Sequence, residues 1–153
     1  NALKTFKLIN ENIIKQNNCD VFMYLNYDEN NLYVEKFHKD NGNCHLKKNI
    51  DKRLIDLYKP VKVLVEKQKE FINPDIQICE KRTKNVLTTN RKHNWSEIEA
   101  KKHDLKCVYS MFYGIYKCNE IKELYSLEKG FVYDYVIRLR YDVAPRKKIK
   151  FSP

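Results

Sequence analysis

Apolar positions along this chain follow two periods, and the change from one to the other marks the elements. Leu3, Phe6, Ile9, Ile13 and Ile14 recur at helical spacing, so a helix is expected from Ala2 to Gln16, ended by Asn17 and Asn18. Asp20 to Asn26 (DVFMYLN) is apolar on both faces, the pattern of a strand buried inside a parallel sheet. The polar stretch Tyr27 to Asn31 follows, where a ligand would meet the carboxyl end of such a strand. Leu32 to Phe37 reads as a short strand or a turn of helix, and Asp40 to Asn43 (DNGN) as a turn. A short helix is expected from Asp51 to Tyr58, stopped by Pro60, and a strand from Val61 to Glu66 (VKVLVE). Asn73 and Pro74 break the chain again, and the polar run Glu80 to Asn94 predicts a mobile surface loop.

The longest periodic segment predicts a helix from about Ser96 to Leu127, either continuous or broken near Asp104, with Gly130 as its cap. Leu105, Val108, Met111, Phe112, Ile115 and Cys118 form one stripe, expected to be core. Tyr109, Tyr113 and Tyr116 flank it; packing with the hydroxyl on water or backbone is the ordinary use of such residues, and lining a pocket the functional one. Helices alternating with strands give an α/β class, a mostly parallel sheet flanked by helices, in which Asp20 to Asn26 and Tyr135 to Arg140 are expected as neighbouring or near-neighbouring parallel strands.

The stretch Tyr133 to Val143, YDYVIRLRYDV, changes the picture from fold to chemistry. Alternation places Tyr133, Tyr135, Ile137, Leu139, Tyr141 and Val143 on one side, and Arg138, Arg140 and Asp142 on the other. Two guanidinium forks suit a diphosphate or carboxylate, and a neighbouring carboxylate can hold a hard cation or a sugar hydroxyl. The structural alternative pairs Arg138 with Asp134 or Glu120.

Composition narrows the rest. At 153 residues and 42% apolar content the chain fits one domain, 1–153. Its net charge of +10 raises nucleic acid as a partner. Yet Lys outnumbers Arg 24 to 6 and Asn reaches 16, a bias that AT-rich coding also produces. The basic residues are scattered, apart from Arg146, Lys147, Lys148 and Lys150, so a solvated basic surface is the expectation and nucleic acid is not. Five cysteines without a CxxC pair indicate free thiols in a reducing compartment. No apolar run is long enough to span a bilayer, and a cytoplasmic setting is expected. Cys44, His45, Cys79 and His93 show no recurring ligand spacing, and Gly42, Gly114 and Gly130 form no phosphate-cradling loop.

Three segments together carry a resemblance. MFYGIYKCNEIKE (Met111 to Glu123), YDYVIRLRYDV (Tyr133 to Val143) and DVFMYL (Asp20 to Leu25) resemble a family of nucleotide-sugar-dependent glycosyltransferase-like proteins of viruses and microbes. The resemblance implies a GT-A-like, Rossmann-like sheet, and a location in the cytoplasm or associated with a virion. It also implies a fragment: the family's first strand and a nucleotide-binding loop are expected before residue 1, and an acceptor-binding half after Pro153.

The implied reaction is transfer of a sugar from a nucleoside diphosphate sugar to a hydroxyl of a glycan or protein acceptor. Arg138 and Arg140 would neutralise the diphosphate. Asp142 would hold Mn2+ or Mg2+, or a donor hydroxyl, while Asn26 and Asp28 would contact the nucleotide. Tyr141 stands where the family usually has Pro and Gly114 where Ser is common, and one carboxylate stands where a DxD-type site has two, which leaves metal dependence open. The competing reading is a non-catalytic structural or binding protein of the same fold.

Overall fold

A computed structural model describes residues 2–34, 44–67, 69, 97–140 and 143–151, with side chains left out at 2, 34, 44 and 97–107. Helix α1 (Ala2–Ile9) runs into a widened π turn (Asn10–Ile14) and a last short turn, α2 (Lys15–Asn17). Asn18 stops it in the left-handed region at φ 48°, which asparagine tolerates better than most residues. Strand β1 (Phe22–Asn26) follows, then the two-residue strands β2 (Tyr33–Val34) and β3 (Cys44–His45), which pair antiparallel. Helix α3 (Ile50–Tyr58) ends at Lys59, also left-handed, whose N–H donates to the Ile55 carbonyl at 2.8 Å. Strand β4 (Lys62–Glu66) returns parallel to β1, in register from Phe22 opposite Lys62 to Asn26 opposite Glu66. Helix α4 (Glu97–Lys129) is continuous through Asp104, roughly 50 Å long, and Gly130 caps it at φ 71°.

The core lies on one face of β1. Met23 and Leu25 pack with Ile9, Leu54 and Tyr58, and the partly buried Leu3, Phe6, Ile14, Ile50 and Ala144 close around them. Phe6 meets Tyr58 edge to face at 4.8 Å. The other face of β1 is covered by α4. Gly114 lets the helix approach closely, since a Cβ there would sit 3.0 Å from Cδ1 of Tyr24.

Two expectations are corrected. Val108, Met111 and Phe112 are exposed, not core, although Ile115 and Cys118 of the same stripe are half-buried. Contact of Gly114 with Tyr24, together with the Cys118 thiol reaching the Phe22 carbonyl at 3.5 Å, rotates that part of the stripe outward. Tyr135 to Arg140 is not a strand beside β1. A strand needs a neighbour for its N–H and C=O groups, and β1 pairs only with β4 among the described residues. Tyr133 is drawn instead to Asp20 and the Tyr135 ring to Phe151, leaving Val136 59% exposed. The expected turn at Asp40 to Asn43, the break at Asn73 and Pro74, the loop Glu80 to Asn94 and the side chain of Leu105 lie outside the described residues.

Residues 145–151 run along the π turn. The Asn12 side chain donates to the Pro145 carbonyl at 2.8 Å, while the Asn12 carbonyl accepts the Ile149 N–H at 2.8 Å. Asn17 donates to the Ile149 carbonyl at 2.8 Å and accepts the Phe151 N–H at 2.9 Å. A π turn departs from the regular i to i+4 ladder, and here both backbone and side chain of Asn12 bond residues 145–149.

Candidate functional site

Ligands of open α/β sheets bind beyond the carboxyl ends of parallel strands, and here those ends bring Asn26 and Glu66 side by side. The Tyr24 hydroxyl donates to Asn26 Oδ1 at 2.8 Å, and Asn26 Nδ2 donates to Ser110 Oγ on α4 at 3.3 Å. The Tyr113 hydroxyl donates to Glu66 Oε2 at 3.3 Å. The two tyrosine rings meet edge to face at 5.9 Å. Ammonium groups border this cluster, with Lys69 Nζ 4.9 Å and Lys117 Nζ 5.9 Å from the centre of the Tyr113 ring.

The electrostatics hold both phenols neutral. Burial first, and then the negative charge of Glu66, push the Tyr24 phenol up to about 12. Tyr113 is raised by the same causes in the same order. Glu120 is held below the usual carboxylate range, chiefly by its bond to Lys117 at 2.6 Å. The result is one half-buried carboxylate, one amide and three hydroxyls, a set that can both donate to and accept from hydroxyl groups.

Beyond this edge, Asp28 is used locally. Its Oδ1 accepts the Asn30 N–H at 3.0 Å, and its Oδ2 lies 3.6 Å from Lys67 Nζ. A small pocket of ≈ 190 Å³ next to it is lined by Tyr27, Glu29, Asn30, Lys48 and Asn49, with the Tyr27 hydroxyl accepting the Asn49 N–H at 2.9 Å.

Of the five residues expected at a donor site, Asn26 and Asp28 share the sheet's carboxyl edge. Arg138 and Arg140 are exposed on the irregular stretch that follows α4, and Asp142 lies outside the described residues. The alternative partner for Arg138, Glu120, is engaged by Lys117 and by the Tyr116 hydroxyl at 3.2 Å. Tyr24, Glu66, Ser110 and Tyr113 were not anticipated as one cluster. The alternation of VKVLVE held the needed signal, since it ends on a carboxylate level with the end of DVFMYLN.

No protein-family model matches the chain, and no curated protein or solved structure matches it. Among the described residues no three His, Cys, Asp or Glu side chains gather as cation ligands, and Asp28 and Glu66 are occupied as above. No helix among the described residues is long and apolar enough to cross a membrane.

Proposed function

We propose that this chain is the donor-binding part of a glycosyltransferase, one that takes a sugar from a nucleoside diphosphate sugar to a hydroxyl acceptor. The observation that supports it best is the in-register pair Asn26 and Glu66 at the carboxyl ends of two parallel strands, flanked by Tyr24, Ser110 and Tyr113. An amide and a carboxylate with neighbouring hydroxyls match the donors and acceptors of a ribose or hexose. During transfer the bond from the sugar's anomeric carbon to the diphosphate breaks as the acceptor oxygen attacks, and charge builds on the leaving group. Arg138 and Arg140 would meet that charge, because a guanidinium fork binds two phosphate oxygens at once. Asp142 is the proposed partner for a donor hydroxyl or a cation.

Titration calorimetry with a panel of nucleoside diphosphate sugars tests this. Saturable binding is expected, weakened about tenfold by Glu66→Gln and by Arg138→Gln, consistent with loss of a charged hydrogen bond. Asp142→Asn is expected to weaken donor binding while leaving the melting temperature nearly unchanged. A chain that melts cooperatively yet binds no donor removes the reading. It would favour instead a binding or structural role, for which the exposed apolar side chains of α4, Phe112 at 60% and Leu127 at 77%, speak.

A further inference from the structure

The charge of this protein is concentrated where residues 145–151 lie on the first helix. Residues 2–17 and 143–151 hold seven cations against the single carboxylate of Glu11, a net of +6 out of the chain's +10. Lys15, Arg146, Lys147, Lys148 and Lys150 are all exposed. A basic run is ordinarily a loose, solvated tail, but this one is held at both ends of residues 145–151 by the four hydrogen bonds to Asn12 and Asn17. Fixing the backbone in advance lowers the ordering cost of binding, so the charges act together. An aromatic pair lies at the end of the strap. Tyr135 stacks on Phe151 with ring centres 5.3 Å apart and planes 22° from parallel, and Tyr135 is 56% exposed. Asp134, exposed on the preceding stretch, is the acidic residue next to that pair in sequence.

We propose that the strap of residues 145–151, with the Tyr135–Phe151 stack, is a binding site for single-stranded nucleic acid. The backbone phosphates pair with the pinned cations, and an unstacked base lies against the exposed Tyr135 ring. A duplex cannot use the ring, because its bases are already stacked on one another. An acidic membrane would use the cations but not the ring stack, whose Phe151 is occupied by Tyr135.

Fluorescence anisotropy of the full chain with a labelled oligouridylate of about 16 nucleotides tests the site. Saturable binding is expected, with a slope of log affinity against log salt near −3 for four phosphates at about −0.7 each. Arg146→Gln, Lys147→Gln, Lys148→Gln and Lys150→Gln together should lower affinity at least tenfold and flatten that slope. Tyr135→Ala should lower affinity about fivefold with the slope unchanged, as expected for lost stacking. Lys52→Gln with Arg53→Gln on α3 is the control and should stay within twofold. Melting curves establish that each variant is folded. Absence of saturable binding overturns the proposal, as does equal weakening in the α3 control. A duplex bound as tightly as the single strand, or acidic phosphatidylserine vesicles that bind without competition from the oligonucleotide, overturns it too.

Discussion

The two faces of β1 are built from different materials. Met23 and Leu25 pack into the hydrophobic cluster of Ile9, Leu54 and Tyr58, whereas Phe22 and Tyr24 meet α4 through rings, a thiol, a glycine and hydroxyls. Both faces bury surface, yet only the second carries groups that can bind a polar ligand. A strand with alternating side chains can therefore hold the fold with one set of residues and offer chemistry with the other.

If the first face is the stabilising one, Leu25→Ala should cost the most. A leucine buried to this degree, truncated in a small core, is expected to lower unfolding free energy by about 3 kcal/mol. Denaturant titration checks this, and a cost near that of an exposed leucine would break the contrast.

The second face depends on closeness rather than on volume. Gly114→Val should destabilise by about 2 kcal/mol, because the added carbons meet the Tyr24 ring, already 3.0 Å from an ideal Cβ. Gly114→Ala should fall near zero, where better helix propensity of about 1 kcal/mol offsets the displaced ring. In a Tyr24→Ala background the cost of Gly114→Val should largely vanish. If it persists there, the tight contact is not with Tyr24.

The same face should respond to alkali. Tyr24 has its phenol raised to about 12 in the folded chain, against about 10 when unfolded. A raised pKa contributes stability that is fully present below the unfolded value and is lost as pH rises from about 10 towards about 12. Melting temperature should therefore fall across that window, and fall less in Tyr24→Phe. Phenolate absorbance should show Tyr24 titrating earlier in Glu66→Gln.

How much of this could be read beforehand follows the same division. Local periodicity located α1, β1, α3, β4 and α4 within a few residues, because each has a run of apolar positions long enough to set its period. The carboxyl edge of β1 was legible from Asn26 and Asp28. What periodicity could not supply was which way α4 faces, since that turns on contacts far apart in sequence, Gly114 with Tyr24 and Cys118 with Phe22. Nor could it show that Asn12, a polar residue in an amphipathic helix, is buried to hold Pro145. The alternation from Tyr135 to Arg140 misled for a related reason. A strand pattern becomes a strand only where another strand offers a ladder, and that is a property of its neighbours.

The smallest effect concerns the near end of the aromatic face, where Tyr133 ties the irregular stretch to β1. Its hydroxyl donates to Asp20 Oδ2 at 2.5 Å, and its ring meets Phe22 at 5.8 Å and Phe131 at 4.8 Å, both edge to face. Burial, then the bond to Asp20, raises this phenol well above its usual range. Tyr133→Phe keeps both ring contacts and deletes only the bond, which is largely open to water. Its cost should be under about 1 kcal/mol. Tyr133→Ala removes the rings as well and should cost more, since packing rather than the hydroxyl holds the stretch on Phe22. Equal costs for the two variants would mean that the bond to Asp20, not the ring cluster, is what anchors residues 131–140.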